Sequence, residues 1–309
     1  MLKYILRRLV LLIPVIIGVT LITFTMLYFT EGDPARMVLG EQASAEDLEL
    51  FREEQGLNDS FFTQFGRYVY NAFIKQDLGM SYRYRQPVFE EILGRFPTTL
   101  KLAGLAVLLA VVIGIPLGII SATKQYSLFD TVSMIIALVG VSMPNFWQGL
   151  LLILLFSVNL GWLPSSGFST WQQMILPVVT IGTSTMAIIT RMTRSSMLEV
   201  IRADYIRTAR AKGQDESKIV LRHALGNAMI PIVTVIGLQF GYLLGGAVLT
   251  ESIFSVPGVG RLMVDAIKNK DFPMVQGGVL FIAVTFSIVN LLIDILYAFL
   301  DPRIRSQYR

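Results

Sequence analysis

The chain has 309 residues, 53% hydrophobic and only 16% charged, with a net charge of +4 and a mean hydropathy of +0.61. Soluble domains are about one quarter charged, so this composition excludes an ordinary soluble protein and points to an all-α polytopic membrane protein. There is no cysteine and a single histidine, His223; a disulfide framework, a thiolate metal site and a histidine-cluster metal centre are excluded.

A spanning helix needs about 20 mostly apolar residues, and six stretches qualify: 9–30, 100–122, 132–158, 174–193, 229–250 and 278–300. The first follows Lys3, Arg7 and Arg8 in the manner of a signal peptide. Its apolar run is too long for one and no small-residue cleavage site follows, so it reads as an uncleaved span. Pro14, Pro116, Pro144 and Pro177 fall inside spans, where neighbouring helices re-satisfy the carbonyls that proline frees.

An even number of spans puts both termini on one side. The segments on that side hold Lys3, Arg7, Arg8, Lys124, Arg303, Arg305, Arg309 and the basic residues of 191–228, which are Arg191, Arg194, Arg202, Arg207, Arg210, Lys212, Lys218 and Arg222. Segment 31–97 carries seven basic residues against twelve acidic ones. The positive-inside rule therefore predicts both termini and 191–228 in the cytoplasm and 31–97 outside. Basic charge beside spans has this explanation, so nucleic-acid binding is not expected.

The predicted organisation is a cytoplasmic N-terminus with the first span (1–30), an extracytoplasmic domain (31–97), a core of five spans (98–300) and a cytoplasmic tail (301–309). The stretch FREEQGLNDSFFTQFGRYVYNAFIKQ mixes apolar, aromatic and charged residues as folded surface helices do. Residues 159–173 and 251–277 are the other outer segments. The second contains PGVGRLMVDAIKN, which predicts a turn followed by a short amphipathic helix.

Segment 191–228 is polar between two apolar spans. Met197, Ile201, Tyr205 and Ala209 recur at near-helical spacing, with Arg202, Arg207 and Arg210 opposite. Gly213 interrupts the pattern, Asp215 offers an N-cap, and Ile219 and Val220 restart an apolar face. Thr208, Ala209, Ala211 and Gly213 leave a low-relief knuckle. A basic loop resting on anionic lipid needs no such knuckle. Glu199, Asp204, Asp215 and Glu216 among the basic residues also favour specific pairing over a polybasic patch.

RTARAKG followed by RHALGNAMIP resembles the cytoplasmic EAA loop of ABC-importer permeases. Arg207, Thr208 and Ala209 stand at the Glu-Ala-Ala positions and Gly213 at the glycine; Arg207 replaces the glutamate, and Leu225-Gly226 stands where Leu-Pro is usual. DYIRTARAKG, with ILRRL, EGDPAR, DLGMS, RFPTTL, ESIFSVPGVGRL and LDPRIR elsewhere, is similar to the B-type permease subunits of dipeptide, oligopeptide, glutathione and nickel importers. The resemblance covers essentially the whole chain. It implies a type I ABC-importer permease fold in a bacterial or archaeal plasma membrane. It also implies a second homologous permease, two ABC ATPase subunits and an extracytoplasmic substrate-binding protein as partners, with peptide as cargo. Asp204, Arg207, Thr208, Ala209, Ala211 and Gly213 would then dock on an ATPase.

The chain has no P-loop, so ATP and Mg would be bound by partner subunits. Gly258-Val259-Gly260 has Met263 at the third glycine position of a dinucleotide motif and reads as a turn. No zinc-protease or serine-hydrolase motif occurs, so no catalytic residue is expected. Asp294 is the one acid well inside a span, roughly 10 Å from Asp301 along a helix, with Asn290 one turn earlier. Such a group marks a transport pathway or a structural pair between helices. Arg191, Arg194 and Lys101 are expected to snorkel. Asn145, Gln148 and Gln239 are weaker pathway candidates, and Gly241–Val248 is expected to pack helices closely. A stand-alone secondary transporter is the alternative from another class; it needs an ion-coupling constellation, for which Asp294 is the sole candidate.

Overall fold

The computed structural model describes residues 2–300, so the predicted tail 301–309, with Arg303, Arg305 and Arg309, lies outside the described residues. α1 (Leu2–Tyr28) is a single long helix with Pro14 inside it. Three short helices follow: α2 (Pro34–Leu39), α3 (Ala45–Gln55) and α4 (Phe61–Phe73). Each starts on a side-chain cap that occupies otherwise orphaned backbone N–H groups. Asp33 accepts from Ala35 N–H (3.1 Å), Ser44 from Asp47 N–H (3.0 Å) and Ser60 from Thr63 N–H (3.4 Å). Gly56 ends α3 in the left-handed region, at φ 63°, where a Cβ would be strained. The aromatic face of α4 rests on the end of α1, with the Phe61 and Phe65 rings 5.3 and 5.4 Å from Phe24.

α5 (Val88–Thr123) is 36 residues long and packs along α8 (Trp171–Ile201), the central pair of the bundle. Small residues let the two backbones approach. A Cβ on Gly118 would stand 2.8 Å from Thr190 O, and one on Gly182 would stand 2.6 Å from Leu109 Cδ2. Leu102, Ala103, Ala106, Leu176, Ile181 and Phe254 form the buried centre of this contact. α5 begins at Val88, so its first turns run through 88–97, the last part of the predicted outer segment. Hydropathy underestimates this helix because its first turns carry Glu90, Glu91 and Arg95.

The third predicted span is not one rod. α6 (Leu128–Ser142) and α7 (Asn145–Leu152), which continues as π-helical turns over Ile153–Asn159, meet at 102°. Pro144 is the cause: it lacks an N–H and pushes Met143 into an extended conformation (φ −81°, ψ 123°).

After α8 come α9 (Asp204–Ala211), α10 (Glu216–Lys218), π-helical turns over Ile219–Ala224 and α11 (Leu225–Gly246). α12 (Val248–Ile253), α13 (Val259–Lys268) and α14 (Phe272–Leu300) complete the chain. Among the described residues five helices are long and apolar enough to cross a membrane, or six if the bent α6–α7 pair is counted as one span. As expected for the glycine-rich run, Gly241 and Gly245 of α11 face Phe286 and Ile282 of α14 at contact distance.

Two buried carboxylates fasten the loops beside the short helices. Glu251 accepts from the Thr99 hydroxyl (2.7 Å), Arg261 N–H (3.0 Å) and Gly260 N–H. Thr99 in turn accepts from Val259 N–H at 2.9 Å. Burial pushes the Glu251 carboxyl above its ordinary range, and these donors work against that shift. The Ser-Val-Pro-Gly-Val-Gly turn is thus wound around a carboxylate, and α13 follows it as predicted. Asp271 accepts from the Ser81 hydroxyl and from the N–H groups of Tyr82 (3.1 Å), Arg83 (3.3 Å) and Met274 (3.4 Å). It therefore ties the loop before α5 to the start of α14. The Tyr82 hydroxyl, buried beside it, is pushed up to about 12 by desolvation first and by the Asp271 charge second.

Candidate functional site

At the opposite end of the bundle from the short helices, α8 stops at Ile201 and the chain turns through Arg202 and Ala203 into α9. One side chain of α9 is buried, Ile206, which joins Met197, Ile219, Ala224, Ala228, Ile232 and Ala122 in a core under the loop. The predicted stripe placed Tyr205 there, yet Tyr205 is 48% exposed. The reason is the turn at Arg202–Ala203: it resets the helical phase by about one residue, so a register extrapolated from Met197 and Ile201 lands on the wrong neighbour.

The rest of α9 faces outward. Asp204, Arg207, Thr208, Ala211 and Gly213 are all exposed, and Ala209 is partly buried. Arg207 Nη1 lies 3.8 Å from Asp204 Oδ1, a loose surface pair whose members are 77% and 98% exposed. Arg210 donates twice to Glu216, from Nε to Oε2 (3.0 Å) and from Nη2 to Oε1 (2.6 Å), which braces the two sides of the Gly213 turn. The guanidinium holds the Glu216 carboxyl below the usual range. Gly213 has φ +74°, and a Cβ there would meet nothing within 4 Å. Its glycine is required by backbone conformation, and the space over it is open. Asp215 caps the next turn as predicted, accepting from Lys218 N–H at 3.3 Å.

Directly beneath lies an ion pair that sequence reasoning missed. Arg194 does not snorkel: Nε donates to Asp130 Oδ1 at 2.7 Å and Nη2 to Oδ2 at 2.8 Å. The Ser121 hydroxyl and Tyr126 N–H (3.0 Å) also donate to Asp130, which is buried. This joins the ends of α5, α6 and α8 just before α9. Arg202 reaches Gln125 Oε1 across the same junction (3.2 Å). An acid at the start of an apolar helix and a base at the end of another was the available signal, though the two lie 64 residues apart. Lys101 lies over the Phe168 ring at 5.9 Å.

Asp294 sits at the seam between α1 and α14, where Arg8 Nη1 approaches its Oδ2 to 3.0 Å. Asn290 lies one turn earlier on α14. Asn145 and Gln239, the weaker pathway candidates, are brought to one cavity at the α6–α7 break, whereas Gln148 lines a separate one. No group of acids and histidines suited to hold a metal occurs among the described residues.

Comparison with known proteins accounts for this architecture. Residues 114–306 match the model of the binding-protein-dependent transport system inner membrane component, and residues 1–103 match the N-terminal model of such membrane components. The dipeptide transport system permease protein DppB of Alkalihalophilus pseudofirmus is 46% identical, covering 99% of this chain and 100% of its own. The glutathione transport system permease protein GsiC of Escherichia coli K12 is 45% identical, covering 99% of both chains. Among solved structures, the MetNI methionine ABC transporter in an inward-facing conformation superposes with a TM-score of 0.58 at 19% identity, over 68% of this chain and 96% of that one. An amino acid ABC transporter with histidines gives 0.53 at 17% identity, over 70% and 94%. These last two show the shared fold. The chain therefore belongs to the inner-membrane components of binding-protein-dependent transport systems, as a permease of a peptide-type ABC importer.

Proposed function

We propose that this subunit forms half of a translocation pathway for di- or oligopeptides and that α9 is the joint through which a cytoplasmic ATPase moves it. The observation that carries the reading is the build of α9. It is an eight-residue helix held to the core by Ile206, backed by the braced Gly213 turn, with every other polar side chain turned outward. In this reading the α9 face is cytoplasmic and the short helices α2–α4 are outside, as the distribution of Lys and Arg supports. Two ATPase subunits bind ATP and Mg, a second permease completes the pathway, and a binding protein delivers cargo to the outer face. The chain itself catalyses no reaction. The names of the dipeptide and glutathione relatives support a peptide cargo; a nickel chelate is the other cargo known by resemblance. An ion-coupled secondary transporter is disfavoured because Asp294 is engaged by Arg8.

Gly213→Asp tests the joint. The new side chain meets open space within this subunit and the strain at φ +74° stays within one exposed turn, so the variant is expected to insert and assemble its bundle. It is expected to lose co-purification with P-loop ATPases, and uptake with it. Retained ATPase binding and normal peptide uptake would refute the reading.

A further inference from the structure

The break between α6 and α7 falls in the middle of the third predicted span, beside the middle of α8. Irregular backbone at membrane depth persists only where protein buries it or where it lines a water-filled cavity. Here it lines a cavity of about 350 Å³ whose walls come from three elements: Met143, Pro144 and Asn145 at the break, Ser184, Thr185 and Ile188 of α8, and Gln239 and Tyr242 of α11. That volume is at the lower end of the roughly 300–1,000 Å³ usual for small-ligand clefts. The Ser184 and Thr185 hydroxyls donate to Ile181 O (3.1 and 3.0 Å) and keep acceptor capacity. The side chains of Asn145, Gln239 and Tyr242 make no hydrogen bond among the described residues. Tyr242 is 62% exposed. Helix-to-helix glue, the ordinary role of such residues, would have paired them. On the far side of the break a second cavity, about 220 Å³, holds Gln148, whose Oε1 is buried without a partner.

The cavity is polar without being charged. No Asp, Glu, Lys, Arg or His occurs between Asp130 and Arg191, or between His223 and Glu251. All the residues that wall the cavity come from these two runs. The other spans are equally free of charge between their ends, at 9–30, 102–123 and 272–293; the cavity walls share that property and offer no fixed charge to a cargo. At an effective protein dielectric near 20, a fixed charge in contact with a charged cargo group changes its affinity by about a thousandfold. A pathway that must release what it admits is impaired by such a trap.

We propose that Asn145, Ser184, Gln239 and Tyr242, with the backbone opened at the α6–α7 break, form a cargo half-site that hydrogen-bonds the main-chain amides of a short peptide and is indifferent to the sign of its side-chain charge. The proposal rests on the pathway reading above and deepens it: selection by charge is left to whatever loads the pathway, and this subunit reads only the feature all peptides share.

The absence of cysteine from the chain makes the test clean. Ser184→Cys and, separately, Gln239→Cys are assembled into the complete transporter in liposomes. Each is treated with neutral, cationic or anionic methanethiosulfonate reagents; the native chain in the same complex controls for partner thiols. Uptake of dialanine, lysyl-alanine and glutamyl-alanine is then compared. The neutral adduct is expected to slow all three alike. The cationic adduct moves the ratio of lysyl-alanine to glutamyl-alanine uptake down by about tenfold and the anionic adduct moves it up by a similar factor. Dialanine protects the thiols from labelling. A complex that imports peptides with a ratio blind to the sign of the adduct, or thiols that peptide does not protect, would overturn the half-site alone. An unmodified complex that imports none of the three peptides would overturn the peptide reading and the half-site with it.

Discussion

At the α9 face, Arg207 and Asp204 stand in solvent with a loose 3.8 Å contact between them. At the opposite face, Glu251 and Asp271 are fully buried and have three and four hydrogen-bond donors respectively. Both faces are loops between spans and both are polar. They differ in where the polar groups find their partners. A carboxylate taken out of water is stable only if its own chain supplies donors, and Glu251 and Asp271 meet that condition, so they serve the fold. Arg207 and Asp204 are hydrated and contribute little to it, which leaves them available to another protein. The cavity at the α6–α7 break is a third case, partly buried polar groups with no partner in their own chain.

This contrast can be broken in several ways. The largest effect is expected one layer below α9, where Arg194→Ala would strand the buried Asp130. It should cost about 3–5 kcal/mol, read as a lowered unfolding midpoint in detergent. Adding Asp130→Asn should recover much of the loss; if it does not, the pair is not what holds the junction. Glu251→Ala comes next. It orphans the Thr99 hydroxyl and two backbone N–H groups, with an expected loss of about 2–4 kcal/mol, whereas Arg207→Ala should stay within about 0.5 kcal/mol of the parent. Equal losses from these two would erase the distinction between the faces. Gly213→Ala puts a Cβ at φ +74° in open space. It should cost about 1–2 kcal/mol, from backbone strain alone, with hydrogen exchange quickened across the turn and nowhere else.

The smallest effect is a pH dependence in the short helices. Arg52 donates to Asp33 and to Glu49 (2.6 and 2.8 Å), and its hydrogen bonds hold both carboxyls below their ordinary range. Because the folded values lie below the unfolded ones, this stabilisation is present above about pH 4. It is lost as pH falls through the folded values. Amide protection in α2 and α3, taken relative to the intrinsic exchange rate at each pH, should therefore be lower at pH 3 than at pH 7, and Arg52→Ala should flatten the dependence.

Hydropathy made the spans legible, since the bilayer leaves few other ways to read twenty apolar residues in a row. The loop of α9 was legible too, because a polar, glycine-broken segment between two spans contradicts its surroundings. What stayed hidden involved direction or distance. Nothing in the hydrophobicity of Ser142-Met143-Pro144-Asn145 distinguishes a kinked rod from a bend of 102°. The phase slip at Arg202–Ala203 moved the buried position from Tyr205 to Ile206. Arg194 and Asp294 each read as single charges because their partners, Asp130 and Arg8, lie on other helices. Asn145 and Gln239 carried no sign in the sequence that they share a cavity.

The pairing of Arg8 with Asp294 reaches from the first helix to the last. α1 leans chiefly on α14, with α4 touching only its outer end. α14 follows α1 by all the other helices of the bundle, so α1 acquires its principal neighbour only after the segments between them are made. A truncated product would present a detached α1 and an unclasped bundle.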